Sequence, residues 1–278
     1  MSSLKQRLIT TLVGVPALLI VIFLLPQFGH LGFALVAMGF SLLGSREIYR
    51  IIKTKFQITP NLPYIVGGII PLAAWISSIT NFANLADLTL IFLLILSFAI
   101  EIFAGAKTEK PFDDSIKRIC VDTFTLIYPS YLLSFIIKVN AFEQVSGFYA
   151  LFLLCVFSND IFAYIFGMLL GKNNRGFIKA SPNKSISGFI GGLLSCVAIS
   201  IVSTIIIKLP LQIYQSIIIG VALSLSANVG DLIESVIKRS AQVKDSGTLT
   251  PGRGGALDNI DSLVASAPLF YLLLELFV

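Results

Sequence analysis

Histidine is nearly missing from this chain: His30 is the only one in 278 residues. A zinc centre built from several histidines is thereby removed as a reading, and His30 itself falls in a short outer turn after Pro26 where no catalytic role is expected. Cysteine is scarce too. Cys120, Cys155 and Cys196 stand singly in separate apolar segments without CxxC spacing, so neither a disulfide framework nor a thiolate metal site is expected, and all three are read as small core residues. Charge is thin at 13% of residues, about half the share of an ordinary soluble domain. No apolar/polar alternation runs along the apolar stretches, which excludes a membrane β-barrel. Internal repeats, low-complexity tracts and a separable soluble domain are likewise absent from the pattern.

What is there is hydrocarbon: 56% hydrophobic residues and a mean hydropathy of +0.90. Runs long enough to cross about 30 Å of lipid as helix recur along the chain. Nine are read, near residues 8–25, 28–44, 64–80, 88–104, 119–137, 147–171, 189–207, 212–230 and 262–278. The first lacks a small-residue cleavage site and runs straight into the second, so it is expected to be a retained span rather than a signal peptide. With the N-terminus inside, 18 of the 20 Lys and Arg residues fall in inner loops, and only Lys138 and Lys208 lie at outer ends. This bias supports the count and sets the expected direction. The expectation is an all-α, polytopic integral membrane protein with about nine transmembrane helices and a cytoplasmic N-terminus. The net charge of +5 then reads as topology and attraction to anionic head groups, with no nucleic-acid partner.

One membrane domain, 1–278, is expected, with a plain half at 1–145 serving as scaffold and a loaded half at 146–278 carrying cytoplasmic loops 172–188 and 231–261. The first five spans read as almost free of intramembrane charge. From the sixth onward polar residues enter the helices. Gly230 to Asp261 alone holds five acidic residues, four basic ones and five glycines.

Ser224, Asn228, Asp231, Ser235, Lys238 and Gln242 are spaced by three or four residues, which places them on one helical face beside Glu234. Beyond Asp231 that face could simply meet water; at membrane depth Ser224 and Asn228 must face protein or a wet cavity. Asp258 and Asp261 share one side of a helix start, where the helix dipole accounts for one acid better than for two. Asp160 lies near the middle of span six, where a carboxylate costs about 2.5 to 3.5 kcal/mol and is either functional or a hydrogen bond between helices. Acids converging from spans six, eight and nine would repel by roughly 4 kcal/mol per pair at about 4 Å. A hard cation removes that penalty, and oxygen-only ligands point to Mg²⁺. Between the acids, Gly247, Gly252, Gly254 and Gly255 permit close backbone approach, with Lys238, Arg239, Lys244 and Arg253 around them, the ingredients of a polyphosphate cradle. A second basic loop carries Lys172, Lys179 and Lys184. Taken alone, it is equally well read as positive-inside charge.

These residues resemble the phosphatidate cytidylyltransferases, or CDP-diacylglycerol synthases. The resemblance rests on Ser235, Lys238, Arg239, Lys244, Asp245, Pro251, Gly252, Gly254, Gly255, Leu257, Asp258 and Asp261, in the order and spacing of that family's C-terminal signature. Upstream, "SND" at 158–160, Gly171-Lys172 and "SPNKSISGFIGG" are similar to its second region. Arg253 stands where the family pattern has His, Asn259 where it has Arg and Ser187 where it has Glu; the metal-binding acids are untouched. The resemblance implies transfer of CMP from CTP to phosphatidic acid, giving CDP-diacylglycerol and pyrophosphate at the cytoplasmic face of the inner cell membrane. It implies Asp231 and Asp258 as principal Mg²⁺ ligands, with Asp261 and Asp160 supporting them or holding a second cation. Lys238, Arg239, Lys244 and Arg253 would hold phosphates, Ser235 would donate to one, and Asp245 joins that catalytic set. Lys172, Lys184, Ser185, Gly252, Gly254 and Gly255 would bind the nucleotide or lipid head group. A homodimer stays open. Two alternatives remain: a CTP-dependent lipid or polyprenol kinase, and a cation-coupled transporter, whose inverted repeat this sequence lacks.

Overall fold

The computed structural model describes residues 3–80, 82–104, 112–249 and 254–278. Its helices are α1 (Ser3–Leu24), α2 (Gln27–Phe56), α3 (Ile69–Ile79), α4 (Leu85–Ala104), α5 (Ser115–Leu126), α6 (Leu132–Lys138), α7 (Val145–Leu170), α8 (Ile186–Ile207), α9 (Ile213–Ser240) and α10 (Leu257–Phe277). Among the described residues there is no strand, only one isolated bridge between Arg175 and Ser185. Each of the nine expected apolar segments is helical. Seven helices are long and apolar enough to cross a membrane, while Val13–Leu24 and Tyr64–Ile79 are apolar but shorter. Large aliphatic side chains such as Leu194, Ile206, Leu225, Leu272 and Leu276 stand exposed on the perimeter, which suits a protein whose solvent is lipid. The chain is a multi-pass membrane protein.

Two departures from regular helix have local causes. Pro129 lacks an N–H and crowds the preceding turn. The span expected at 119–137 is therefore divided into α5 and α6 by a π-helical turn, Ile127–Tyr131. At the start of α2, Phe28, Gly29 and His30 adopt left-handed φ of 52°, 62° and 52°; a side chain at Gly29 would meet Ile79 Cγ2 at 2.6 Å. His30 is buried there, its Nε2 2.9 Å from Ser146 Oγ and its ring edge-on to Tyr149. Its role is structural.

The scaffold half is not free of buried charge, contrary to expectation. Glu101 on α4 accepts hydrogen bonds from Arg118 and Ser115 of α5 and, at 2.8 Å, from Asn61. Asp122, also buried, accepts from Ser97 Oγ at 2.5 Å and Leu62 N at 3.2 Å. Lys138 pairs with Asp87 at 2.9 Å at the far end of α4. Each acid sits in a run whose apolar neighbours mask it in the sequence, and each is made tolerable by a partner on another element. Cys120 is a second correction: it is exposed, whereas Cys155 and Cys196 are buried together, with Sγ of Cys155 3.7 Å from the Cys196 carbonyl.

In the loaded half, α8 packs between α7 and α9, and α10 packs on α9. Small residues allow this. A Cβ on Gly192 would come within 2.7 Å of Asn159 Oδ1, one on Gly220 within 2.7 Å of the Val197 Cα, and one on Gly230 within 2.2 Å of the Asp261 carbonyl. In lipid, where no hydrophobic effect draws helices together, such backbone approach is the main source of cohesion. The C-terminal ends of α2 and α9 and the loops after α7 and α9 meet at one end of the bundle. Lys55 donates to Gln242 Oε1 at 2.5 Å, and Arg239 donates to the Ala180 carbonyl at 3.3 Å.

Replacing Gly220 by Val forces α8 and α9 apart and should cost about 1 to 3 kcal/mol, read as a lower unfolding midpoint in detergent. Gly39→Ala is the control, because a Cβ there meets nothing within 4 Å. Equal midpoints for the parent and the Gly220→Val variant would contradict the packing described.

Candidate active site

The stripe expected on one helical face holds on α9 from Ser224 to Lys238, but α9 ends at Ser240, and Gln242, with a left-handed φ of 57°, lies beyond it. Ser224 and Asn228 are buried, and both address Asn159 of α7, whose Oδ1 accepts from Ser224 Oγ at 2.7 Å and from Asn228 Nδ2 at 3.4 Å. Asn159 was the residue missed, since its neighbour Asp160 drew attention by its charge. The Asn159 amide also lies 3.4 Å from Asp160 Oδ1 and so couples the acid to this network.

One turn further along α9 the acids and lysines are interleaved. Lys184, from the loop before α8, pairs with Asp231 Oδ2 at 2.6 Å and lies over the Phe189 ring at 5.3 Å. Lys238 bridges two carboxylates, Glu234 Oε2 at 2.5 Å and Asp258 Oδ1 at 2.6 Å. Glu234 is 1% exposed, and its other oxygen, Oε1, is buried without a hydrogen-bond partner. Asp261 is buried at the crossing of α9 and α10. Asp231, Glu234 and Asp160 all act on it through Coulomb repulsion, and its Oδ1 accepts from Ser262 N at 2.6 Å.

Asp258 is enclosed. Besides Lys238 it accepts, at Oδ2, from Ser246 N at 2.9 Å, Ser246 Oγ at 2.8 Å and Gly255 N at 2.6 Å. Gly254 has φ +99°, and a Cβ there would stand 2.3 Å from that same oxygen, so only glycine serves. Sequence reasoning missed the other half of this arrangement. Glu47 of α2 accepts from Ala256 N at 2.7 Å, Leu257 N at 2.9 Å and Ser246 Oγ at 2.7 Å, and thereby caps the first turn of α10. Helix starts carry unpaired N–H groups and partial positive charge, so a carboxylate is the natural partner. No local spacing could have revealed a cap 209 residues away in sequence. Gly247 and Gly255 make room for it: a Cβ on either would fall 2.3 Å from a Glu47 oxygen.

The expected set therefore divides. Asp160 of α7 and Asp231 of α9 both repel the Asp261 carboxylate of α10, while Asp258 is tied up with Lys238 and the glycine loop. Asp231 is held by Lys184 and Asp258 by Lys238, and among the described residues no three acids are grouped at metal-binding spacing. Among the described residues, Gly247, Gly254 and Gly255 approach the protein's own carboxylates. Ser185 is buried and caps α8, its Oγ accepting from Gly188 N at 3.1 Å, which is a structural task in place of the expected ligand contact. Ser235 Oγ lies 3.5 Å from Asp231 Oδ1. Lys172, Arg239, Lys244 and Asp245 are exposed. Gly252 and Arg253 lie outside the described residues. Of the two remaining departures from the family pattern, Asn259 donates to the Gly255 carbonyl at 2.5 Å and Ser187 Oγ donates to the Leu170 carbonyl at 3.0 Å, so both fasten helix ends.

Comparison with known proteins shows the family. A profile of the cytidylyltransferase family matches residues 5–277. The phosphatidate cytidylyltransferase of Bacillus subtilis is 29% identical over 285 aligned positions covering all of both chains, and that of Staphylococcus aureus is 29% identical over 272, covering 96% of this chain and 98% of the relative. The Aquifex aeolicus enzyme of the same name is 36% identical over 153 positions, 55% of this chain and 56% of that one. This chain belongs to the cytidylyltransferase family. It is a nucleotidyltransferase built into a membrane-spanning helical bundle.

Glu47→Ala leaves two backbone N–H groups without a partner and should cost about 1 to 3 kcal/mol. Hydrogen exchange read at the amides of Ala256 and Leu257 should accelerate, with Glu47→Gln intermediate because it keeps one acceptor. Unchanged exchange at both amides in Glu47→Ala would contradict the cap.

Proposed function

We propose that the chain is a phosphatidate cytidylyltransferase, making CDP-diacylglycerol and pyrophosphate from CTP and phosphatidic acid. The single observation that carries this reading is the interleaving of acids and lysines at the α7, α9 and α10 crossing, in a chain matched over residues 5–277 to a family named for cytidylyl transfer. The three full or partial relatives named above carry that activity in their names.

In the reaction a phosphate oxygen of phosphatidic acid attacks the α-phosphorus of CTP; a new P–O bond forms, the bond to the β-phosphate breaks, and pyrophosphate leaves with the electron pair. Such transfers depend on positioning and charge neutralisation more than on a covalent protein nucleophile. Lys184 and Lys238 supply cationic donors within reach of the acids, and each can exchange a carboxylate for a phosphate oxygen when substrate enters. Asp258, fixed by Ser246 and Gly255, keeps Lys238 aimed. Arg239, Lys172 and Lys244 line the loop end where a triphosphate arrives.

The donor set fits a hard cation. Glu234 Oε1 is a buried oxygen lacking a hydrogen-bond partner, and the charges of Asp231, Glu234 and Asp160 repel the Asp261 carboxylate. Because no three acids among the described residues stand at metal-binding spacing, Mg²⁺ would be held by one or two of Asp160, Asp231, Asp258 and Asp261 together with substrate phosphate, and would supply neutralisation of the polyphosphate. Nine spans, a cytoplasmic N-terminus and a site on the cytoplasmic side of the inner membrane complete the proposal; the support is the placement of 18 of 20 basic residues in alternate loops.

Purified full-length protein given phosphatidate, CTP and Mg²⁺ should release pyrophosphate, and Asp258→Asn should abolish nearly all of it. With CTP labelled in the α-phosphate, label should pass to the lipid. Equal rates in parent and variant, or transfer of the γ-phosphate alone, would overturn the assignment.

A further inference from the structure

A cavity of about 160 Å³ opens among α1, α2, α6, α7 and α10. Its walls are glycine and hydrocarbon, including Gly14, Leu18, Phe40, Phe157 and Leu263, with one polar exception, Asn259. Asn259 is the residue after Asp258, on the first turn of α10, so the polar end of the cavity adjoins the acids and lysines of the site. From that end the cavity runs away from the loops. Phe40 and Phe33 both line it, and seven residues of helix span about 10 Å; Phe40 is the one nearer to Glu47 on α2.

We propose that this cavity holds a segment of one acyl chain of the lipid phosphate substrate, with its head group at the α7, α9 and α10 crossing. The inference rests on the reaction proposed above and says where its lipid is gripped. Apolar cavities of about this volume stay dry and accept hydrocarbon in other proteins, and a ligand pocket is characteristically apolar with a few polar groups that fix orientation. Of the two substrates only phosphatidic acid carries hydrocarbon. A chain that enters beside Asn259 leaves its phosphate next to Asp258 and Lys238, passes Gly14 and Phe40, and places its far carbons among Leu18 and Phe33. The cavity is too short for a partner helix, and lipid lying generally around the bundle would have no preference for it.

Gly14→Leu blocks the cavity with little strain, because a Cβ at Gly14 meets no atom within 4 Å. In the full-length protein, the ratio of pyrophosphate release with dioleoyl to that with dihexanoyl phosphatidate should fall at least tenfold in this variant. An unchanged ratio overturns the proposal. Independently, phosphatidate carrying a diazirine within one acyl chain should photolabel α1, α2 or α7 at the cavity, and Gly14→Leu should remove that label. Label confined to perimeter residues such as Leu194 or Leu272 overturns it. The two readings separate cleanly: pyrophosphate release without cavity label sinks the acyl site and leaves the reaction standing, whereas cavity label without pyrophosphate release supports the acyl site and sinks the reaction.

Discussion

The start of α10 imposes the constraint on which the active end depends. Its first N–H groups lie against the bundle, where water cannot be relied upon to pair them, and a buried donor left alone costs about 1 to 3 kcal/mol. Glu47 meets two of them, at Ala256 and Leu257. Asp258 then turns back on the loop and takes Ser246 and Gly255. Ser246 Oγ stands between the two acids, 2.7 Å from Glu47 and 2.8 Å from Asp258. A helix from the scaffold half thus fixes the loop that shapes the site, and the two halves are one cooperative unit at this end.

Because the carboxylates are tied in this way, the lysines have fixed places to stand. Lys238 is held between Glu234 and Asp258, and Lys184 is held by Asp231 and the face of Phe189. Neither lysine adds much stability as a buried pair, since desolvation offsets most of the attraction. What the pairs provide is position. A cation that already sits beside displaceable carboxylates reaches an arriving phosphate with little reorganisation, which is the sense in which electrostatic preorganisation lowers a barrier.

Much of this was legible in the residues and some was not, for identifiable reasons. Long apolar runs and alternating basic loops announced the helices because each is a local property: nine runs were read and each is helical. The face from Ser224 to Lys238 was legible because helical spacing is fixed at three to four residues. Charge, however, is a poor guide to contact. Asp160 stood out, yet uncharged Asn159 is the group that Ser224 and Asn228 address. Glu47 was invisible because its partners lie on another helix far along the chain, and Glu101 and Asp122 were overlooked because their pairing crosses elements in the same way. The glycines were read correctly as places of close approach, but what approaches is the protein's own carboxylate.

That last difference bears on how the site works. Gly254 and Gly255 are as necessary for enclosing Asp258 and Glu47 as they would be for wrapping a phosphate, since a Cβ on either would fall 2.3 Å from a carboxylate oxygen. A carboxylate and a phosphate oxygen compete for the same N–H groups and the same lysines. The described part of the loop is therefore built around the protein's own carboxylates. A phosphate entering beside them would add its charge to carboxylates that stay in the site, so the repulsion would have to be met by the neighbouring lysines and a bound cation, which is why a densely charged segment at the edge of a hydrophobic bundle calls for a counter-ion.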